Sequence, residues 1–328
     1  MTGPLLAVRG LSCHIDTAAG TVRAVEDVSL SVARGQVLGV VGESGCGKST
    51  LVRAIAGAFG PGHRVTGEVL LDGVDPATLP PARARRLRGK RIGMVFQDPM
   101  TALNPVVPVG RQLTEGMRHH LGLGRGEARE RAVDLLAQVG VPDPVRRLSH
   151  YPHQFSGGLR QRVTIAIALS CEPDLLIADE ATTALDVTVQ RQILDLLADL
   201  AGKRGMAMIL VSHDLAVVAG RADHVAVMYG GRIVERGRAA AVFTTPRHRY
   251  TEALLAAVPR LDQAPHSRLR VIAGAPPDPY DPPPGCPFAA RCPHAEPGCG
   301  ATVPALSGVD GHEHACLVPV PVAAQEVR

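Results

Sequence analysis

Gly42-Glu43-Ser44-Gly45-Cys46-Gly47-Lys48-Ser49-Thr50 is the stretch that decides the fold. It fits G-x-x-x-x-G-K-[ST], a loop whose backbone N–H groups turn inward and cradle phosphate oxygens. The apolar run Val37 to Val41 before it suits a buried strand, and Ser49 to Ala56 after it has helical character. Strand, glycine-rich loop and helix are the context the loop requires, because the helix N-terminus adds a favourable dipole. Lys48 is placed to reach the β- and γ-phosphates of a nucleotide, and Ser49 offers a hydroxyl to Mg²⁺. The chain has only three lysines, Lys48, Lys90 and Lys203, and one falls at the required position. The competing reading is a chance glycine-rich turn before a helix.

Further along, Leu175-Leu176-Ile177-Ala178-Asp179-Glu180 is an apolar strand ending in two acids. Asp179 at the strand end suits Mg²⁺, held through water, and Glu180 beside it can polarise an attacking water as general base. By itself such a strand end is a weak signal; after a phosphate loop in the same chain it becomes a strong one. Gln97 closes another apolar strand, and its neutral amide can touch both metal and water without competing for protons. His213, in Val211-Ser212-His213-Asp214, follows a further strand and offers an imidazole to the γ-phosphate. A lone histidine there is otherwise structural.

Leu175–Ala178 and Met208–Val211 read as buried strands alternating with helices, which predicts an α/β fold with a parallel sheet covered on both faces. From about 98 to 172 the pattern is helical, as in Arg129-Ala132-Val133-Leu135-Leu136-Val139, so a helical subdomain is expected inside the α/β core. Val187 to Leu200 reads as another amphipathic helix. After Pro259 the composition shifts. Prolines at 276, 277, 279, 282, 283 and 284 forbid a regular helix or central strand there. The expected domains are therefore 1–259 and a small extension, 260–328. There is no internal repeat.

At 328 residues and 45% hydrophobic content, the chain has material for a large core and a smaller module. No apolar run reaches the ~18 residues needed to span a bilayer, and the start lacks the zones of a signal peptide, so a cytosolic location is expected. A net charge of +4 is too mild to argue for nucleic acid, and 3% aromatics without tryptophan leave no base-stacking platform. Arg83, Arg85, Arg86, Arg88, Lys90 and Arg91 form a local basic run, either a solvated face or a contact for anionic lipid or a membrane partner.

Between the loop and the acidic strand end lies Phe155-Ser156-Gly157-Gly158-Leu159-Arg160-Gln161, an element that an ordinary P-loop enzyme does not need. This order resembles the nucleotide-binding subunit of an ATP-binding cassette (ABC) transporter, over residues 1–328. The resemblance implies a P-loop (RecA-like) cassette that binds and hydrolyses ATP with Mg²⁺ and pairs head to tail with a second cassette. Ser156, Gly157 and Gly158 match the signature that contacts the γ-phosphate held by the opposite subunit, and Asp186 matches a loop communicating between the two sites. Gln97, Glu180 and His213 match the metal and water contact, the catalytic base and the γ-phosphate switch.

Phe96-Gln97-Asp98-Pro99-Met100-Thr101-Ala102-Leu103-Asn104-Pro105, Tyr151-Pro152-His153-Gln154-Phe155 and Arg249-Tyr250-Thr251-Glu252-Ala253-Leu254-Leu255 resemble segments of oligopeptide and dipeptide importers. They imply a heterodimer with a second cassette, two transmembrane permeases, an extracellular solute-binding protein and a place on the cytoplasmic face of the membrane. The rivals are a cassette importing nickel or another small solute, and a soluble non-transport ATPase. The latter type carries two cassettes or a coiled-coil insertion, and neither is present. Two positions depart from the pattern: His14-Ile15 stands where the family places an aromatic for adenine, and Ala181 replaces a proline.

Seven cysteines occur at 13, 46, 171, 286, 292, 299 and 316, expected as thiols or metal ligands. Cys286, Cys292, Cys299 and Cys316 are spaced C-x₅-C-x₆-C-x₁₆-C. Four thiolates can hold a [4Fe–4S] cluster or Zn²⁺, and the absence of C-x-x-C pairs favours the cluster. The importer extension resembled here also carries such a set. Four free thiols in a loose tail are the alternative.

Overall fold

Every residue of Leu175–Asp179 is buried, and so is every residue of Ala207–Ser212. Strands covered on both faces show no alternation, and these two show none. The computed structural model describes residues 3–60, 62–182, 186–258 and 271–321. Its strands are β1 (Leu6–Thr17), β2 (Gly20–Val32), β3 (Val37–Val41), β4 (His63–Leu71), β5 (Ile92–Val95), β6 (Leu175–Asp179), β7 (Ala207–Ser212), β8 (His224–Tyr229), β9 (Arg232–Arg238), β10 (Ser307–Val309) and β11 (His312–His314). Two compact units are present: Met1–Ala7, Ser31–Val37 and Val69–Val211 make one, and Val8–Leu30, Leu38–Glu68 and Ser212–Arg328 the other. Thr183 to Leu185, and the boundary expected near 260, lie outside the described residues.

In the first unit, β5, β6 and β7 pair in parallel, with Val95 opposite Ala178 and Asp179 opposite Val211. The described chain between β5 and β6 is helical, with longer helices at Val109–Gly116, Arg125–Gln138 and Gly157–Leu169. Arg125–Gln138 buries Ala128, Ala132, Leu135 and Leu136, the spacing that puts one stripe against a core. The helix Val187–Arg204 starts at its Asp186 cap and stops at Gly205, whose φ of 59° is left-handed.

The second unit departs from an all-parallel sheet. β3 and β8 are parallel, but β8 and β9 are antiparallel, because Gly230-Gly231 joins them in two residues. Both glycines have positive φ (54° and 77°), as a tight hairpin turn requires, and only antiparallel strands can be joined so briefly. The extension adds to the same unit a short hairpin, β10 and β11, around Asp310-Gly311, with β11 paired antiparallel to β9. β1, β2 and β4 form a three-stranded sheet in the order β2-β1-β4. Pro276–Pro284 forms neither helix nor strand, and its Pro279 carbonyl accepts the Arg23 amide at 2.9 Å.

Candidate functional site

The phosphate loop follows β3 directly and ends in the helix Lys48–Ala56. Its shape depends on two glycines. A Cβ on Gly42 would stand 2.3 Å from the Met228 carbonyl oxygen, and one on Gly47 would stand 2.1 Å from that of Ala24. Both have positive φ, 155° and 102°. Gly231 N donates to Cys46 O at 3.1 Å, so the β8–β9 turn supports the loop from below. Lys48 Nζ is buried and donates to the carbonyls of Gly42 (2.8 Å) and Glu43 (3.0 Å). Ser44 and Gly45 are exposed at the tip, Ser49 and Thr50 half-buried behind it. Burial raises the Cys46 thiol, so this cysteine packs the loop as a thiol even with Lys48 beside it.

Two residues far along the chain hold Glu43, and a third, Tyr229, holds one of them. Its amide donates to the Tyr250 hydroxyl at 2.8 Å. Its carboxylate takes both arms of Arg291, with Nη1 to Oε2 at 2.7 Å and Nη2 to Oε1 at 3.1 Å. Tyr229 donates no charge but accepts Arg291 Nη1 at 3.0 Å. Sequence reasoning missed these contacts. Arg249–Leu255 was legible only as a segment, and Arg291 only as a spacer between Cys286 and Cys292. On β1, the His14 imidazole is bonded to Glu26 at 2.5 Å.

In the first unit, Asp179 ends β6 fully buried, and Glu180 follows in left-handed backbone, φ 45°. Gln97, two residues beyond β5, donates from Nε2 to Glu180 Oε2 at 3.0 Å. Asp179 and Gln97 offer oxygen donors, the chemistry that Mg²⁺ takes, and Ser49, in the second unit, offers a hydroxyl oxygen of the same kind. Ser156 caps the helix Gly157–Leu169 by accepting the Leu159 amide at 3.4 Å. Ser156 and Gly157 are exposed, and a Cβ on Gly158 would meet Val189 Cγ1 at 3.0 Å. Exposed amides at a helix start are an anion-binding arrangement. Asp186 caps its own helix by accepting the Val189 amide at 2.9 Å. His213, in the second unit, is exposed between Ser212 and Asp214, whose amide donates to the Ser212 hydroxyl.

Among the described residues, no group of three or more His, Cys, Asp or Glu side chains is placed to hold a metal ion. The [4Fe–4S] and Zn²⁺ expectations for Cys286, Cys292, Cys299 and Cys316 gain no support from the arrangement. Cys286 and Cys299 are buried, and the Cys286 amide donates to the Cys299 carbonyl at 2.7 Å. Burial, then the neighbouring Cys316, Cys299 and Cys292 sulfurs, push the Cys286 thiol up to about 11. The segment also has an apolar anchor of its own: Phe288 is buried against Tyr229 and Tyr250, with ring centroids 5.3 and 5.4 Å away.

Residues 25–183 match the ABC transporter family, and residues 234–299 match the oligopeptide/dipeptide transporter C-terminal region. The dipeptide transport ATP-binding protein DppD of Bacillus subtilis is 49% identical over 302 residues, 92% of this chain and 90% of its own. The chain belongs to the ABC transporters. DppD of Escherichia coli is 48% identical over 318 residues, covering 96% of this chain and 97% of that one. A solved ABC cassette dimer described as a post-hydrolysis state, MJ0796 bound to ADP and Pi, superposes with a TM-score of 0.64 at 27% identity. It covers 71% of this chain and 98% of the cassette. The fold is thus the P-loop ABC cassette, and the chain is an ABC ATPase that uses ATP and Mg²⁺. Among the described residues no helix is long and apolar enough to cross a membrane.

Proposed function

We propose that this ABC ATPase powers import of dipeptides and oligopeptides, acting with transmembrane permeases and a solute-binding protein from the periphery of the membrane. The observation that carries the reading is likeness at about half identity along nearly the whole chain to transport subunits named for dipeptides, with the peptide-transporter C-terminal region at 234–299. In this reading Gly42–Thr50 binds the phosphates and Lys48 supplies the point charge. Ser49, Gln97 and Asp179 are the residues that would hold Mg²⁺, which neutralises phosphate charge when bound. Glu180 takes a proton from the attacking water, oriented by Gln97, and His213 contacts the γ-phosphate.

Ser156, Gly157 and Gly158 serve the nucleotide of a partner cassette, and Asp186 passes the state of one site to the other. That partner is a different chain, and the assembly sits on the cytoplasmic face. The two-residue turn, cap and glycine geometry described above support these roles without depending on cargo. A [4Fe–4S] module at Cys286, Cys292, Cys299 and Cys316 is supported by the spacing of the four cysteines alone. Iron and acid-labile sulfide in anaerobically purified chain are its test; absence of both ends that reading.

The function is tested by uptake of labelled dipeptides, oligopeptides and nickel in cells whose only copy carries Glu180→Gln. Peptide uptake is expected to disappear and nickel uptake to persist. Loss of nickel uptake alone would overturn the peptide assignment.

A further inference from the structure

A phosphate-binding loop that carries a carboxylate has an electrostatic problem. Glu43 lies one residue into the loop, and an ionised side chain there repels the triphosphate that the loop must hold. The structure places a cation against it from the far end of the chain. Arg291 is almost completely withdrawn from solvent, its side chain 5% exposed and that of Glu43 25% exposed. The pairing is a fork on a carboxylate, 2.7 and 3.1 Å. Two-pronged geometry of this kind gives direction as well as charge, and lysine cannot reproduce it.

The rest of the guanidinium is also committed. Nε donates to Ala273 O at 2.9 Å, Nη2 to Ile272 O at 3.0 Å and Nη1 to the Tyr229 hydroxyl at 3.0 Å. Its carbon stands 5.7 Å from the Tyr229 ring centroid. The segment bearing Arg291 is itself anchored below the loop. Phe288 packs on Tyr229 and Tyr250, Tyr250 holds the Glu43 amide, and Pro287 lies against Gly230, where a Cβ would come within 2.8 Å of it. The loop's backbone and its one carboxylate are therefore both secured by residues from 229 onward.

We propose that Arg291 is a positioning residue for ATP: the C-terminal extension neutralises Glu43 and draws it back, so that the phosphate loop accepts the triphosphate. This assigns the extension a direct part in nucleotide affinity, and it rests on ATP binding at Gly42–Thr50. Arg291 does not touch the nucleotide in this scheme; it acts through Glu43.

The test is MgATP affinity of the full chain, measured by titration calorimetry at low and moderate salt. Arg291→Met is expected to raise Kd about tenfold, more at low salt, because it leaves an unpaired carboxylate in the loop. Adding Glu43→Gln to that variant is expected to bring Kd back to within about threefold of the unaltered chain, since the repelling charge is then gone. Arg291→Lys, which keeps charge but loses the fork, should fall between. Binding by Arg291→Met within twofold of the unaltered chain would overturn the proposal. So would a double variant as weak as Arg291→Met, which is the behaviour of a residue that merely packs. If Arg291→Met does not fold, Arg291→Lys with and without Glu43→Gln decides the same question. Absence of MgATP binding by the unaltered chain would instead overturn the ATP-site reading itself.

Discussion

The amide of Gln97 and the carboxylate of Glu180 are joined by a hydrogen bond of 3.0 Å, although 83 positions separate them. Parallel pairing of β5 with β6 sets this up, because Val95 opposite Ala178 brings the two strand ends together. Glu180 then leaves the strand in left-handed backbone at φ 45°, an uncommon conformation for a residue with a side chain. Its amide still bonds to the Val211 carbonyl at 3.2 Å, so the turn is held by β7.

The first prediction follows from that pair. Glu180→Gln should retain MgATP binding and lower hydrolysis by roughly 10²- to 10⁴-fold, the range a positioned general base contributes. Phosphate release by the assembled transporter measures it. Near-normal turnover would remove Glu180 from the role of base.

Gly47→Ala should abolish MgATP binding at concentrations that saturate the unaltered chain. Its Cβ would be 2.1 Å from the Ala24 carbonyl oxygen, and φ at this position is 102°. Gly126→Ala is the control: it sits in the helix Arg125–Gln138 with nothing within 4 Å of the added Cβ, and alanine favours a helix. Equal affinity in the two variants would contradict the steric account of the loop.

Glu235 is fully buried on β9 and accepts the amides of Arg247 (2.7 Å) and His248 (2.9 Å) and the His312 imidazole (2.7 Å). Glu235→Ala should cost about 3 kcal/mol of stability, since it strands one buried and two part-buried partners. A lower urea midpoint at unchanged slope is the expected observation. A midpoint shift worth under about 1 kcal/mol would mean that water replaces the carboxylate.

His248 titrates against the fold. Burial first, then the charge of His314, depress it from 6.5 to about 4. Between those values the unfolded chain binds a proton that the folded one refuses, so stability rises with pH across this window. The contribution is complete above about pH 6.5 and fades by on the order of 3 kcal/mol as pH falls towards 4. Protonation would also consume the Nδ1 atom that accepts the Tyr250 amide at 3.0 Å. His248→Asn keeps a capping acceptor and should flatten thermal stability between pH 4.5 and 6.5. An unchanged slope would assign the pH dependence elsewhere.

Much of the candidate site was legible because its chemistry is written in neighbours. Gly42 to Thr50 must follow a strand and open a helix, and β3 and Lys48–Ala56 lie on either side. The Ser156 cap and the acids ending β6 are also matters of a few consecutive residues. Asp310-Gly311 turns a local hairpin, but nothing near it says that its second strand would join β9. Cysteine spacing is a weaker guide: counting residues between thiols does not by itself bring sulfurs around an ion, and no group placed to hold one is found among the described residues.

The amino-acid sequence alone determined the phosphate loop, the acidic strand end and the signature cap, because backbone geometry and helix capping act over a handful of residues. Only the tertiary structure decided that Arg291 answers Glu43 across 248 positions, and that Tyr229, Tyr250 and Phe288 form the bed beneath them. A buried charge must find its partner wherever folding brings one, and no local pattern in the chain records that meeting.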